Sequence, residues 1–294
     1  MRFTFEPVTL GRQPEYLKLL DACPVKTSDY SFVNLWSWAD IYGLMWAWTS
    51  DLVWIKQTYP QNAFWAPVGA WDRVDDWRTY ADDLKRAGVS YIRVPETLVT
   101  IWQDTFGDKI SSSSSRAHWD YLYSISELQT LKGNRFHKKK NLLNQFKKKY
   151  GFEYVPLNGK IIALAADMQE SWCVWRDCES NDALDAENTA IAKVLANWQK
   201  LERLTGGAIM IDSDIVAYTV AEYLTDDTLL IHFEKGDPAF KGVYQAINQM
   251  FLERVENRYQ IVNREQDLGD EGLRKSKLSY QPIDFMKKYT VTIT

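Results

Sequence analysis

The chain has 294 residues, 46% hydrophobic and 25% charged, with 35 Lys+Arg against 39 Asp+Glu. That composition belongs to a globular protein with a real core, long enough for two ordinary domains, and it argues against a disordered chain. No run of about 18 apolar residues crosses a membrane, the first residues lack a secretory pattern, and three cysteines make no disulfide framework, so the cytoplasm is the expected compartment.

In the first half, residues 42–50, 52–58 and 62–68 read as three short strands rich in aromatic and β-branched side chains. A helix is expected over 72–88, a strand over 89–95, and a second helix over 96–107. The five serines Ser111–Ser115 suit an exposed loop, followed by a strand over 118–125. Ten of the 13 tryptophans precede residue 120. A bulky core explains them best; the alternative is a stacking surface for a ligand.

The middle of the chain is unlike the rest. Residues 132–149, KGNRFHKKKNLLNQFKKK, carry eight Lys/Arg and no acid, and removing those eight leaves 27 bases against 39 acids. At about 100° per residue, Phe136, Leu142, Leu143, Phe146 and Tyr150 share one arc. Lys138, Lys140, Lys147 and Lys148 lie outside it, and Lys139 intrudes on the apolar side, its stem free to lie along the core edge. Asn134 suits the N-cap and Gly151 the stop. Like charges three or four apart repel, so an all-positive face points to an anionic partner: nucleic acid, a phosphorylated ligand, or peripheral contact with an anionic membrane. The bland alternative is a solvated helix.

The second half repeats the order of the first. Helices are expected over 161–179 and 186–204, then a meander over 207–212, 215–224 and 228–235. A helix over 241–257 carries Val243, Ile247, Met250, Phe251 and Val255 near helical spacing. A strand over 259–263, a helix over 271–278 and a strand over 289–294 follow. The expected fold class is α+β, with 1–130 and 152–294 as two similar domains joined by a basic helix over 131–151. Cys173 and Cys178 read as buried thiols, and no Cys/His cluster has metal spacing.

Candidate chemistry gathers late in the chain. Strand alternation puts His232 and Glu234 of LLIHFEK on one face. In NREQDLG, Asn263 and Glu265 share a face if the strand continues, Arg264 opposes them, and Asp267 follows near the turn. Such a polar strand end is costly to bury unless paired. His232, Glu234, Asn263, Glu265 and Asp267 are the catalytic candidates, because they gather groups that can serve as a base and as hydrogen-bond donors. Arg264, Arg274, Lys277 and Tyr280 are candidates for phosphate or carboxylate binding, and Lys235 and Lys241 flank the start of a helix where phosphates often sit. Arg135, Lys138, Lys140, Lys147 and Lys148 are the candidate polyanion-binding residues. The structural alternatives are a satisfied histidine, an internal ion network and a surface helix.

The runs NREQDLG and GLRKSKLSY, with IHFEKGDPAFKGVYQAINQMF, RFHKKKNLLNQFKKKY and SDYSFVNLWSW, resemble the phosphatidylglycerol lysyltransferase C-terminal domain family over nearly the whole chain. The likeness is to its stand-alone branch. It implies two GNAT-like domains in tandem, GNAT being the acyl-CoA N-acyltransferase fold, with an architecture related to the Fem-type enzymes. It also implies aminoacyl transfer from aminoacyl-tRNA, with tRNA as a partner and no tightly bound cofactor. The membrane domain of the lysyltransferases has no counterpart here, which puts the lipid acceptor and lysyl donor in doubt. The acetyltransferase pattern Arg/Gln-x-x-Gly-x-Gly/Ala is absent from KGDPAFKGVY, which disfavours acyl-CoA as donor. A small-amine acyl-CoA transferase remains one alternative, and a non-catalytic protein binding RNA or anionic head groups another.

Overall fold

The computed structural model describes residues 3–74, 76–80, 84 and 90–294. Much of the helix expected over 72–88 lies outside the described residues. The chain divides into two compact units.

The first unit comprises residues 1–120, 266–270 and 285–294. Its strands are β1 (Glu6–Pro7), β2 (Met45–Trp48), β3 (Leu52–Gln57), β4 (Ala63–Gly69), β5 (Tyr91–Pro95), β6 (Ile110–Ser114) and the C-terminal β14 (Lys288–Ile293). They form one sheet in the order β1-β2-β3-β4-β5-β14-β6. Its described residues include helices α1 (Gln13–Ala22), α2 (Phe32–Ser37), α3 (Ala39–Tyr42) and α4 (Glu96–Phe106). The tryptophans are mostly core: Trp46, Trp54, Trp65, Trp71 and Trp102 are fully buried. Ser111–Ser114 are exposed, but in a strand instead of a loop, paired along β14 from Ser111↔Thr292 to Ser114↔Tyr289. Serine carries little strand propensity, so the pairing partner decides.

A closed ion network ties this unit together. Lys288 on β14 is fully buried and its ammonium meets both Asp29 and Asp120. Arg93 on β5 meets Asp29 and lies over the Trp65 ring at 4.1 Å. Burial opposes ionisation of Asp29, but Lys288 and Arg93 hold its carboxyl well below the usual range.

The second unit comprises residues 121–265 and 271–284. Its sheet runs β13-β7-β12-β11-β10-β9-β8, from β7 (Asp120–Ser124), β8 (Glu153–Pro156), β9 (Leu204–Ile211), β10 (Asp214–Tyr223), β11 (Thr228–Gly236), β12 (Ile261–Asn263) and β13 (Asp284–Met286). The helices are α5 (Ile125–Thr130), α6 (His137–Lys149), α7 (Gly159–Arg176), α8 (Asp182–Ala196), α9 (Val243–Leu252) and α10 (Glu271–Leu278). The units therefore do not follow boundaries at 130 and 151. The strand expected to close the first half, β7, pairs with β12 of the second sheet, and the C-terminal strand completes the first. The basic helix α6 belongs to the second unit.

Helix α6 begins after a 3-10 turn over Asn134–Phe136, with no side-chain cap from Asn134, and ends at Lys149, with Tyr150 as its C-cap and Gly151 next in the chain. Leu143 and Phe146 are its buried residues. Gly242, at φ +90°, starts α9 against it: a Cβ there would stand 2.3 Å from the Leu142 carbonyl oxygen. Cys173 and Cys178 are not thiols but a disulfide. Asp177 in the left-handed region reverses the chain after α7, which brings the two Cα atoms to 5.2 Å. Cys23 is buried and free.

Candidate functional site

The site forms where two parallel strands of the second unit part. β11 and β12 pair only through Thr228↔Ile261, Leu229↔Val262 and Leu230↔Asn263. β11 then continues, still paired with β10 on its other edge, while the segment after β12 turns away. Glu265 takes φ +55°, a conformation side chains rarely adopt without support. The support is local: the Glu265 N–H donates to Asn263 Oδ1 at 2.8 Å, and its carbonyl accepts from Tyr121 N–H at 3.1 Å. Strand alternation therefore stops at Asn263, and Glu265 does not simply share its face.

The turn carries Glu265 back to His232, whose Nδ1 lies 3.1 Å from Glu265 Oε1. The Nε2 atom lies 3.7 Å from Glu222 Oε2 on β10, beyond hydrogen-bond range but within that of charge attraction. The His232 side chain is fully buried. Burial disfavours the imidazolium, yet Glu222 and Glu265 outweigh it and raise its pKa to about 9. His232 is thus a buried cation between two acids.

Two residues along β11, Glu234 faces the same way. Its Oε1 accepts from Arg264 Nη2 at 2.9 Å and its Oε2 from Asn248 Nδ2 of α9 at 3.0 Å. Arg264 lies 4.7 Å from the centre of the Tyr280 ring, and its carbonyl accepts from the Lys277 ammonium. The Tyr280 hydroxyl accepts from Gln245 Nε2 at 3.2 Å. Burial pushes that hydroxyl up to about 12, against the pull of Arg264. Lys139 of α6 places its Nζ 3.9 Å from the centre of the same ring. Burial, with Arg264 nearby, lowers Lys139 to about 8, and Glu234 opposes the shift.

The expected residues separate into groups. His232, Glu265 and Asn263 meet in one cluster, and Glu234, Arg264, Lys277 and Tyr280 in another. Lys235 points to the opposite face, over the Trp172 ring at 4.0 Å and 2.7 Å from Glu187 of α8. Lys241 is exposed before α9. Arg274 lines a shallow surface hollow on α10 with Glu271, Lys275, Leu278 and Ser279. Asp267 belongs to the first unit, fully buried and paired with Arg116. Its geometry there is that of a structural acid.

On α6, Lys138, Lys140 and Lys148 are exposed. Lys147 donates to Gln249 Oε1 at 3.1 Å, and Arg135, just before the helix, pairs with Glu127. Glu222, Asn248 and Gln245 are not among the sequence candidates, and Lys139 stands out only as an intruder on the apolar side of its helix. The available signals were one acid in the apolar strand IVAYTVAEYL and amides inside the apolar stripe of α9. No helix among the described residues is long and apolar enough to cross a membrane.

The family described as phosphatidylglycerol lysyltransferase, C-terminal, matches residues 22–292. The chain is 30% identical to a conserved protein of unknown function from Bacteroides thetaiotaomicron, whose crystal structure it matches with a TM-score of 0.90, covering 99% of this chain and 100% of that one. It is similar in fold to L-PGS from Bacillus licheniformis, with a TM-score of 0.65 at 12% identity, over 96% of this chain and 91% of that one. An uncharacterised protein of Mycoplasmoides gallisepticum is 26% identical over 176 residues, which are 59% of this chain; the chain spans 56% of that curated relative. The fold is α+β, with two seven-stranded sheets, one in each unit.

Proposed function

Because the chain belongs to the phosphatidylglycerol lysyltransferase C-terminal family, we propose that it is an acyltransferase whose second unit moves an aminoacyl group from an activated ester to an amine or hydroxyl acceptor. The observation that carries this reading is the parting of β11 and β12, which gathers Glu265, His232, Glu234 and Arg264 at one strand end. In the transfer, the acceptor's nitrogen or oxygen attacks the ester carbonyl carbon. The new bond to carbon forms, the ester C–O bond breaks, and the nucleophile's proton passes through a base to the departing oxygen.

Glu265 is the base in this reading, since its carboxylate is 24% exposed where Glu222 is only 5%. His232 positions Glu265 and, as a buried cation, favours the negative charge that develops on the carbonyl oxygen. Asn263 sets the turn that aims Glu265. Arg264, Lys277 and Tyr280 form the adjoining substrate wall, with Glu234 and Asn248 fixing the guanidinium. The exposed lysines of α6 hold a polyanionic donor, for which aminoacyl-tRNA is the best fit in charge and acyl-CoA a poorer one. Such a donor places the reaction in the cytoplasm.

A labelled aminoacyl-tRNA assay with candidate amine and hydroxyl acceptors tests the reading. Loss of label from one charged tRNA to an acceptor supports it; no binding and no loss of label from any charged tRNA counts against it. A second reading, polyanion binding without catalysis, is favoured by the clamped charge of His232. Replacing His232, Glu234 and Glu265 with Ala separates the two. Activity that survives those changes but is lost with Lys→Glu on α6 makes binding the function.

A further inference from the structure

We propose that Lys139 and Arg264 form a binding site for one compact oxyanion, a carboxylate or phosphate group, beside the ring of Tyr280. The site lies in the second unit. Arg264 spends Nη2 on Glu234, but its buried Nη1 has no hydrogen-bond partner among the described residues. A buried guanidinium N–H without an acceptor carries the full cost of its desolvation. Lys139 has no carboxylate within ion-pair distance among the described residues; its close contact is the Tyr280 ring at 3.9 Å.

The two cations are neighbours. Arg264 Cζ is 4.7 Å and Lys139 Nζ 3.9 Å from one ring centre, so the sum of those distances, 8.6 Å, caps their separation. Glu234 is nearby but occupied, one oxygen on Arg264 and the other on Asn248. The ring offers Lys139 a π face, a weaker partner than an anion. Two partly desolvated cations with spare N–H donors present the charge and the directional bonds that an oxyanion takes up. The depressed basicity of Lys139 accords with the missing counter-charge. Its sequence neighbours Lys138 and Lys140 are exposed and belong to the general basic face.

The inference shares Arg264 with the transfer reading but does not need its chemistry, so either can fail alone. The test uses the full chain with lysines reductively methylated by 13C and followed by NMR. Inorganic phosphate and acetate are titrated separately at ionic strength held constant with chloride, and Lys139→Arg assigns the resonance. The Lys139 signal is expected to shift saturably with phosphate, acetate or both. Its titration midpoint rises at saturation, while Lys138 and Lys140 do not follow. Response to phosphate alone points to a phosphate-bearing ligand, and response to acetate alone to a carboxylate-bearing one. Arg264→Gln weakens the saturation at least about ten-fold; if that variant does not fold, the wild-type titration still decides. A Lys139 signal that ignores both anions, or moves in step with Lys138 and Lys140, overturns the proposal.

Discussion

His232 and Glu265, 33 residues apart in the chain, meet at 3.1 Å because Glu265 adopts φ +55° two residues after its strand ends. A left-handed residue at that point aims a carboxylate into the sheet instead of along it. The first unit bends at the corresponding place: its parallel pair β4 and β5 ends at Trp65↔Ile92, and Arg93 follows at φ +59°. There the bend serves an ion network; in the second unit it builds the candidate site.

The His232 pair makes stability depend on pH. The folded pKa of about 9 lies above the ordinary imidazole value of 6.5. A raised value favours the folded state fully below pH 6.5, and that contribution is lost as pH rises through about 9. A shift of that size is worth roughly 3 kcal/mol. Urea denaturation at pH 6 and pH 9.5 should show a loss of that order, and His232→Gln should flatten the difference. A wild-type protein equally stable at both values removes the imidazolium from the account.

Gly242 permits α6 and α9 to approach. An alanine there faces both φ +90° and a Leu142 carbonyl oxygen 2.3 Å from its Cβ. Gly242→Ala should destabilise the protein by about 1–3 kcal/mol, measured by chemical denaturation. Loss below a few tenths of a kcal/mol means the helices can separate freely.

Lys288 neutralises two buried carboxylates. Lys288→Met removes the cation that Asp29 and Asp120 share and leaves Arg93 to offset Asp29, at a cost of about 3–5 kcal/mol. Adding Asp29→Asn and Asp120→Asn should recover much of that loss. If the triple variant is no more stable than Lys288→Met, the network does not act through charge.

The exposed lysines of α6 should bind polyanions with a steep salt dependence. Fluorescence anisotropy with tRNA should give an affinity that falls as salt rises, since each neutralised phosphate releases counterions. Lys138→Glu with Lys140→Glu should weaken binding at low salt and flatten the slope. Equal affinity of the variant at every salt concentration excludes α6 as the contact.

Element types were legible in the sequence wherever the period was clear. The meander of the second unit, α9 and α10 follow from local pattern, and alternation put His232 and Glu234 on one face. Sheet membership was not legible. β7 and β14 each leave the half of the chain in which they stand, and a strand's hydrophobic pattern does not name its partner. The disulfide depends on the reversal at Asp177, a conformation that spacing alone does not reveal. At the site, alternation failed at Glu265 because the strand stops two residues earlier. Lys139 was visible as an intruder on the apolar face of α6, but only the fold sets it against Tyr280. Asp267 is two residues from Glu265 in sequence and lies in the other unit, which no periodicity predicts.

Acyl transfer at the Glu265 turn is tested most directly by single-turnover release of label from charged tRNA to an acceptor, comparing the wild type with Glu265→Gln. The amide keeps the shape and still contacts His232 but cannot take a proton. The account predicts transfer by the wild type, a loss of 100-fold or more in the variant, on the order of a positioned base's contribution, and unchanged tRNA binding. Transfer at the wild-type rate by Glu265→Gln would contradict it.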